Sequence, residues 1–163
     1  MKTKKLAVMA LAIALCMVLS FVESQVPALV AVPGVKVGLA NLAVVFVLYK
    51  LGWKEAVFVS LIRVGLISLL FGNFASLFYS IAGAVLSLSG MIILRRFKSV
   101  STVAVSVSGG VLHNVGQIAM ACILLETNVI KYYLPFLILS GTLAGVVIGV
   151  VSAVLIKRVD LEV

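Results

Sequence analysis

Arg63 lies within an otherwise apolar run. Its guanidinium offers five hydrogen-bond donors, a permanent positive charge and no route to neutrality. At the centre of a membrane helix an arginine costs about 2.5–3.5 kcal/mol on insertion scales, so it needs carbonyls, water or an anionic ligand. The acids that could pair with it are Glu23, Glu55, Glu126, Asp160 and Glu162. Glu55 is roughly 12 Å below it by helical rise, and Glu23 comes within reach only if the segment after it folds inward. A second polar group is formed by His113, Asn114 and Gln117, beside Gly109 and Gly110. His113 and Gln117 are four residues apart and Asn114 and Gln117 three apart, so the three form a wedge on one helix. The chain has one His and no acid near it, which excludes a zinc site here. A third group is the break Pro33-Gly34-Val35-Lys36-Val37-Gly38-Leu39-Ala40-Asn41. A polar, irregular break beside a membrane helix is tolerated where it lines a cavity or meets water. A helix starting near Gly38 would present unpaired N–H groups to an anion or carbonyl. The chemistry common to these groups is recognition rather than bond-making. Glu23, Lys36, Gly38, Asn41, Arg63, His113, Asn114 and Gln117 are the candidate substrate-binding residues, and no residue is a candidate catalyst. Together they suit a ligand with an anionic or carbonyl-rich part and an apolar remainder.

The elements that must position them are membrane helices. The chain of 163 residues is 64% hydrophobic, with a mean hydropathy of +1.33. Apolar runs recur from end to end, which defines an all-α membrane protein of one transmembrane domain, 1–163. Six helices are predicted at about 5–22, 37–51, 54–71, 74–97, 100–125 and 134–156. The net charge of +8 does not signal nucleic acid, because the cations sit at helix ends, where they orient the chain and meet lipid headgroups. With the N-terminus inside, Lys2, Lys4, Lys5, Lys50, Lys54, Arg95, Arg96, Lys98, Lys157 and Arg158 fall on the inner side, against Lys36 and Lys131 outside. The expectation is a multi-pass cell-membrane protein with both termini cytoplasmic and the Lys36 break on the outer face. The N-terminal apolar run is longer than a usual signal core, and no small-x-small cleavage site follows it, so it is expected to be a retained helix. Cys16 and Cys122, both in apolar runs, are expected to be buried free thiols. Gly141, Gly145, Gly149 and Ala153 form a four-residue stripe expected to pack inside the bundle, and Ala10 and Ala14 form a shorter one on the first helix.

Several of these stretches carry a family likeness. They are Glu23-Ser24, the Pro33–Asn41 break, Leu51-Gly52-Trp53-Lys54-Glu55-Ala56, Ser60-Leu61-Ile62-Arg63, Tyr79-Ser80-Ile81-Ala82-Gly83 and Gly109–Gln117. Across nearly the whole chain they resemble the Gx transporter family, whose members are often labelled heptaprenyl diphosphate synthase component I. That family is similar to the substrate-binding S components of energy-coupling-factor transporters. The resemblance implies a six-helix bundle that binds substrate from the outer side, under the segment after the first helix. It also implies docking on a membrane coupling protein through small residues of the first helix, which Ala10 and Ala14 match. Isoprenoid, quinone and flavin compounds are the ligand classes that the resemblance brings into view.

The synthase label meets a physical objection. Chain-elongating prenyltransferases hold magnesium on diphosphate with paired aspartates, whereas this chain has one Asp, Asp160, in a terminal tail. It is therefore not expected to be an enzyme by that mechanism. No glycine-rich loop followed by Lys-Ser or Lys-Thr occurs, so transport would need a partner ATPase. One His and two separated Cys offer little for haem or iron–sulfur ligation, and no cofactor is expected. The leading expectation is a substrate-binding membrane subunit for uptake of a small molecule, with a coupling protein and ATPase as partners. The alternatives are a non-catalytic membrane subunit of a quinone or electron-transfer pathway and an accessory component of heptaprenyl diphosphate synthase.

Overall fold

The structure is a computed structural model that describes residues 2–25, 38–71 and 73–161. It contains six α-helices: α1 (Lys2–Gln25), α2 (Asn41–Lys50), α3 (Trp53–Phe71), α4 (Phe74–Arg95), α5 (Thr102–Leu124) and α6 (Leu134–Arg158). A short 3-10 helix, Val129–Tyr133, leads into α6, where Pro135 occupies the first turn and needs no N–H partner. Asn73 caps α4 by accepting from Ser76 N at 2.8 Å, and Ser101 caps α5 by accepting from Ala104 N at 3.1 Å. No strand occurs among the described residues.

The outside of the bundle is its oiliest part. Leu11, Leu69, Phe74 and Val147 are widely exposed, whereas Asn41, Arg63, His113, Asn114 and Gln117 are buried. That inversion suits a lipid surround, where apolar surface carries no penalty. Four helices are long and apolar enough to cross a membrane. The other two are α3, which carries Lys54, Glu55 and Arg63, and α2. With ten residues, α2 rises about 15 Å, half the thickness of a hydrocarbon core.

α5 is the spine of the bundle, packed along α4 on one side and α6 on the other. Missing side chains make both contacts close. A Cβ added to Gly83 would lie 2.8 Å from the His113 carbonyl oxygen, and one added to Gly116 would lie 2.6 Å from the Ala82 carbonyl oxygen. On the other face, Cβ atoms at Gly141, Gly145 and Gly149 would meet Asn114 Nδ2, Val107 Cα and Val103 Cα at 2.6–2.7 Å. The α6 glycine stripe is thus an internal packing surface, as expected.

α1 lies at the edge. Its buried positions, Ala12, Cys16 and Ser20, recur every four residues, and Lys5 ties its first turn to Glu55 of α3 at 2.5 Å. Cys16 is fully buried and its thiol donates to the Ala40 carbonyl at 3.5 Å, while Cys122 is only half-buried.

Candidate functional site

The second helix was expected from residue 37, with Gly38 opening it. Instead Gly38 holds φ +94°, a conformation that L side chains rarely adopt, and helix begins only at Asn41. The Gly38 N–H is therefore not an open helix terminus. It donates to Glu23 Oε1 at 2.6 Å, joining the end of α1 to the start of α2 across a separation of 15 residues. Gly38 also lies close to Asn41 and to the His113 ring, as a Cβ there would be 3.3 Å from Asn41 Nδ2 and 3.7 Å from His113 Cδ2.

Arg63 stands ten residues above the start of α3, about 15 Å up the helix, and is 5% exposed. Its Nη1 donates to Asn41 Oδ1 at 3.4 Å, a long bond. Its Nε is buried and has no hydrogen-bond partner among the described residues. The cavity beside it measures about 30 Å³. Glu23, Gly38, Arg63, His113 and Gln117 all line it, so five elements, α1, the turn before α2, α3, α4 and α5, converge there. Asn41 joins through its bond to Arg63.

Two predicted residues stand elsewhere. Asn114 is turned toward α6, where Nδ2 donates to the Leu137 carbonyl at 2.7 Å, and it does not line the cavity. Lys36 lies outside the described residues. Ser20 and Ser80 line the cavity and were missed. Ser20 is three residues before Glu23 on the same face of α1, a spacing that could have found it. Ser80 lies in the Tyr79–Gly83 stretch and carried no signal beyond a hydroxyl in an apolar helix.

Among the described residues the charges on the cavity wall balance, with one cation from Arg63 and one carboxylate from Glu23. The wall is polar: it carries the Arg63 Nε–H, which has no partner among the described residues, hydroxyls from Ser20 and Ser80, the Gln117 amide and the His113 imidazole. Roughly one or two waters would fill the volume, far below the several hundred Å³ of a typical ligand pocket.

Ala10 and Ala14 are both exposed on α1, on a different face from Ala12 and Cys16. Nothing in the bundle covers them among the described residues.

A polytopic helical membrane protein with a small polar cavity inside its bundle is the class that fold and cavity define. Within that class, the family described as heptaprenyl diphosphate synthase component I matches residues 12–155, and the chain belongs to it. No curated protein and no solved structure matches the chain.

Proposed function

We propose that the chain is a non-catalytic membrane subunit whose Arg63 cavity holds the polar part of a small molecule for uptake. The observation that carries this reading is the buried Arg63 Nε, which has no partner among the described residues. A buried donor left unmade costs about 1–3 kcal/mol, more when charged, and a ligand oxygen would recover it. Carbonyl-rich ligands fit the donors on the wall better than polyanions, because Glu23 already offsets the single cation. Glu23, Gly38, Asn41, Arg63, His113 and Gln117 then form the binding residues, with Ser20 and Ser80 beside them. Lys36 belongs to the same reading as an outer rim, and Asn114 serves it indirectly by anchoring α6 to α5.

The exposed Ala10 and Ala14 support docking of a coupling protein with its ATPase, since small residues let a second helix approach closely. The placement of both termini in the cytoplasm rests on the charge count. The test is mass spectrometry of compounds retained by the purified protein. Wild type retains a small molecule that Arg63→Met loses. Equal retention by both proteins refutes the reading. Ala10→Leu with Ala14→Leu leaves retention intact and weakens co-purification of membrane partners.

The family's description favours a second reading, in which the chain is the non-catalytic partner of a prenyl diphosphate synthase. Capture of a soluble prenyltransferase, whose activity rises when this chain is present, would support it over transport.

A further inference from the structure

Three cavities matter, and they are not equivalent. The polar one at Arg63 is too small to hold a typical small-molecule ligand whole. A wider apolar groove of about 240 Å³ lies among α1, α2 and the end of α6, but none of its lining residues also lines the polar cavity. A third, of about 180 Å³, lies between α3 and α4 and is almost wholly apolar. It runs down α3 from Val64 to Val57 and down α4 from Ile81 to Ile92. Its outer rim is lipid-facing, since Leu61 and Val85 are more than half exposed. Val64 lines both this groove and the polar cavity. It is 4% exposed and follows Arg63 directly in the chain. Val64 thus borders both a hydrogen-bonding chamber and an apolar slot with an exposed rim.

We infer that the ligand is an amphiphile with a neutral carbonyl-bearing head at Arg63 and a single apolar tail leaving past Val64 between α3 and α4. This rests on the reading of the Arg63 cavity as a ligand site. The head is neutral because a phosphate or diphosphate would bring two or more negative charges to a wall whose described residues hold one cation and one carboxylate. The tail is required because the head chamber alone cannot hold the molecule, and the α3–α4 slot is the apolar space that shares a wall with it. Entry is then from within the bilayer. The slot begins at the depth of Arg63, where Val64 lines both spaces.

The experiment uses two probes with the purified full chain in lipid nanodiscs: acetamide, a carbonyl head close to the cavity in size, and an N-decyl acetamide whose chain ends in a photoreactive diazirine. The decyl probe binds about tenfold more tightly than the tail-less one, equivalent to burying roughly two methylenes. On illumination it labels α3 and α4, at Leu61, Ile81 or Val85. Val85→Trp fills the slot from its lipid side without entering the core, and removes that tenfold difference while the tail-less probe keeps its affinity within twofold. Labelling confined to the groove among α1, α2 and α6, or a tail advantage unchanged by Val85→Trp, overturns the inference while leaving the cavity reading intact. If binding of both probes is unaffected by Arg63→Met, or neither probe binds saturably, the cavity reading fails and the inference falls with it.

Discussion

Replacing Arg63 with methionine separates a binding residue from a structural one. Methionine is close to arginine in length, and its flexible thioether adapts to irregular space. In the folded bundle Arg63 is 5% exposed, makes one bond at 3.4 Å to Asn41 and leaves Nε without a partner among the described residues. A hydrogen bond to a charged group contributes about 1.5–3 kcal/mol, and this long one belongs at the lower end. Against it stands the loss of hydration, an effective several kcal/mol for a buried ion, part of which Glu23 on the same cavity wall restores. In a separated helix the same side chain snorkels to water and escapes that loss. Arg63→Met is therefore expected to raise stability by about 1 kcal/mol, or roughly 2–4 °C in midpoint, while ligand retention is lost. Thermal unfolding in detergent can be followed by thiol labelling of Cys16, which is fully buried in the fold, in a Cys122→Ala background. A fall of more than about 5 °C for Arg63→Met, with retention unchanged, would show that the guanidinium clamps the bundle and binds nothing.

Further substitutions probe the bundle and the cavity. Gly145→Leu puts a side chain where a Cβ would already be 2.6 Å from Val107 Cα, so α5 and α6 must separate at a cost of about 2–3 kcal/mol in the same melt. Gly65→Ala meets nothing within 4 Å and should instead gain about 0.5–1 kcal/mol from better helix propensity. Asn114→Leu removes the bond to the Leu137 carbonyl but also a buried Oδ1 without a partner, so stability should change by less than about 1 kcal/mol and ligand retention not at all. Gln117→Leu, one turn along on the cavity side, should weaken retention instead. A double-mutant cycle on Lys5 and Glu55 should give a coupling below about 1 kcal/mol that shrinks with added salt, because the pair is partly exposed at the end of the bundle.

The six helices were legible because a lipid surround leaves few alternatives to long apolar helices. Five of them lie close to their expected limits. α2 is the exception, and the reason is local. Residues 38–40 contain no strong breaker except Gly38, whose positive φ, invisible in the sequence, falls in the turn just before the helix starts at Asn41. The pairing of Glu23 with the Gly38 N–H was equally hidden, since it depends on where α1 ends relative to α2. It holds the Glu23 carboxylate, one of the candidate binding residues, on the same cavity wall as Arg63.

The polar wedge of α5 shows how far helical spacing alone can carry such an inference. At about 100° per residue, His113 and Gln117 differ by roughly 40° around the helix, whereas Asn114 lies about 100° from His113 and 60° from Gln117. On an isolated helix all three share a broad polar side. In the bundle, α4 and α6 divide that side between them. Gly83 brings α4 against His113, and Gly141 brings α6 against Asn114, so each glycine determines what its polar neighbour meets. The narrow pair lines the cavity and the outlying amide joins two helices. A spacing of four on α5 marked one destination, whereas spacings of one and three crossed the boundary between two packing partners. The glycines opposite, not the polar residues themselves, carry the information that separates them.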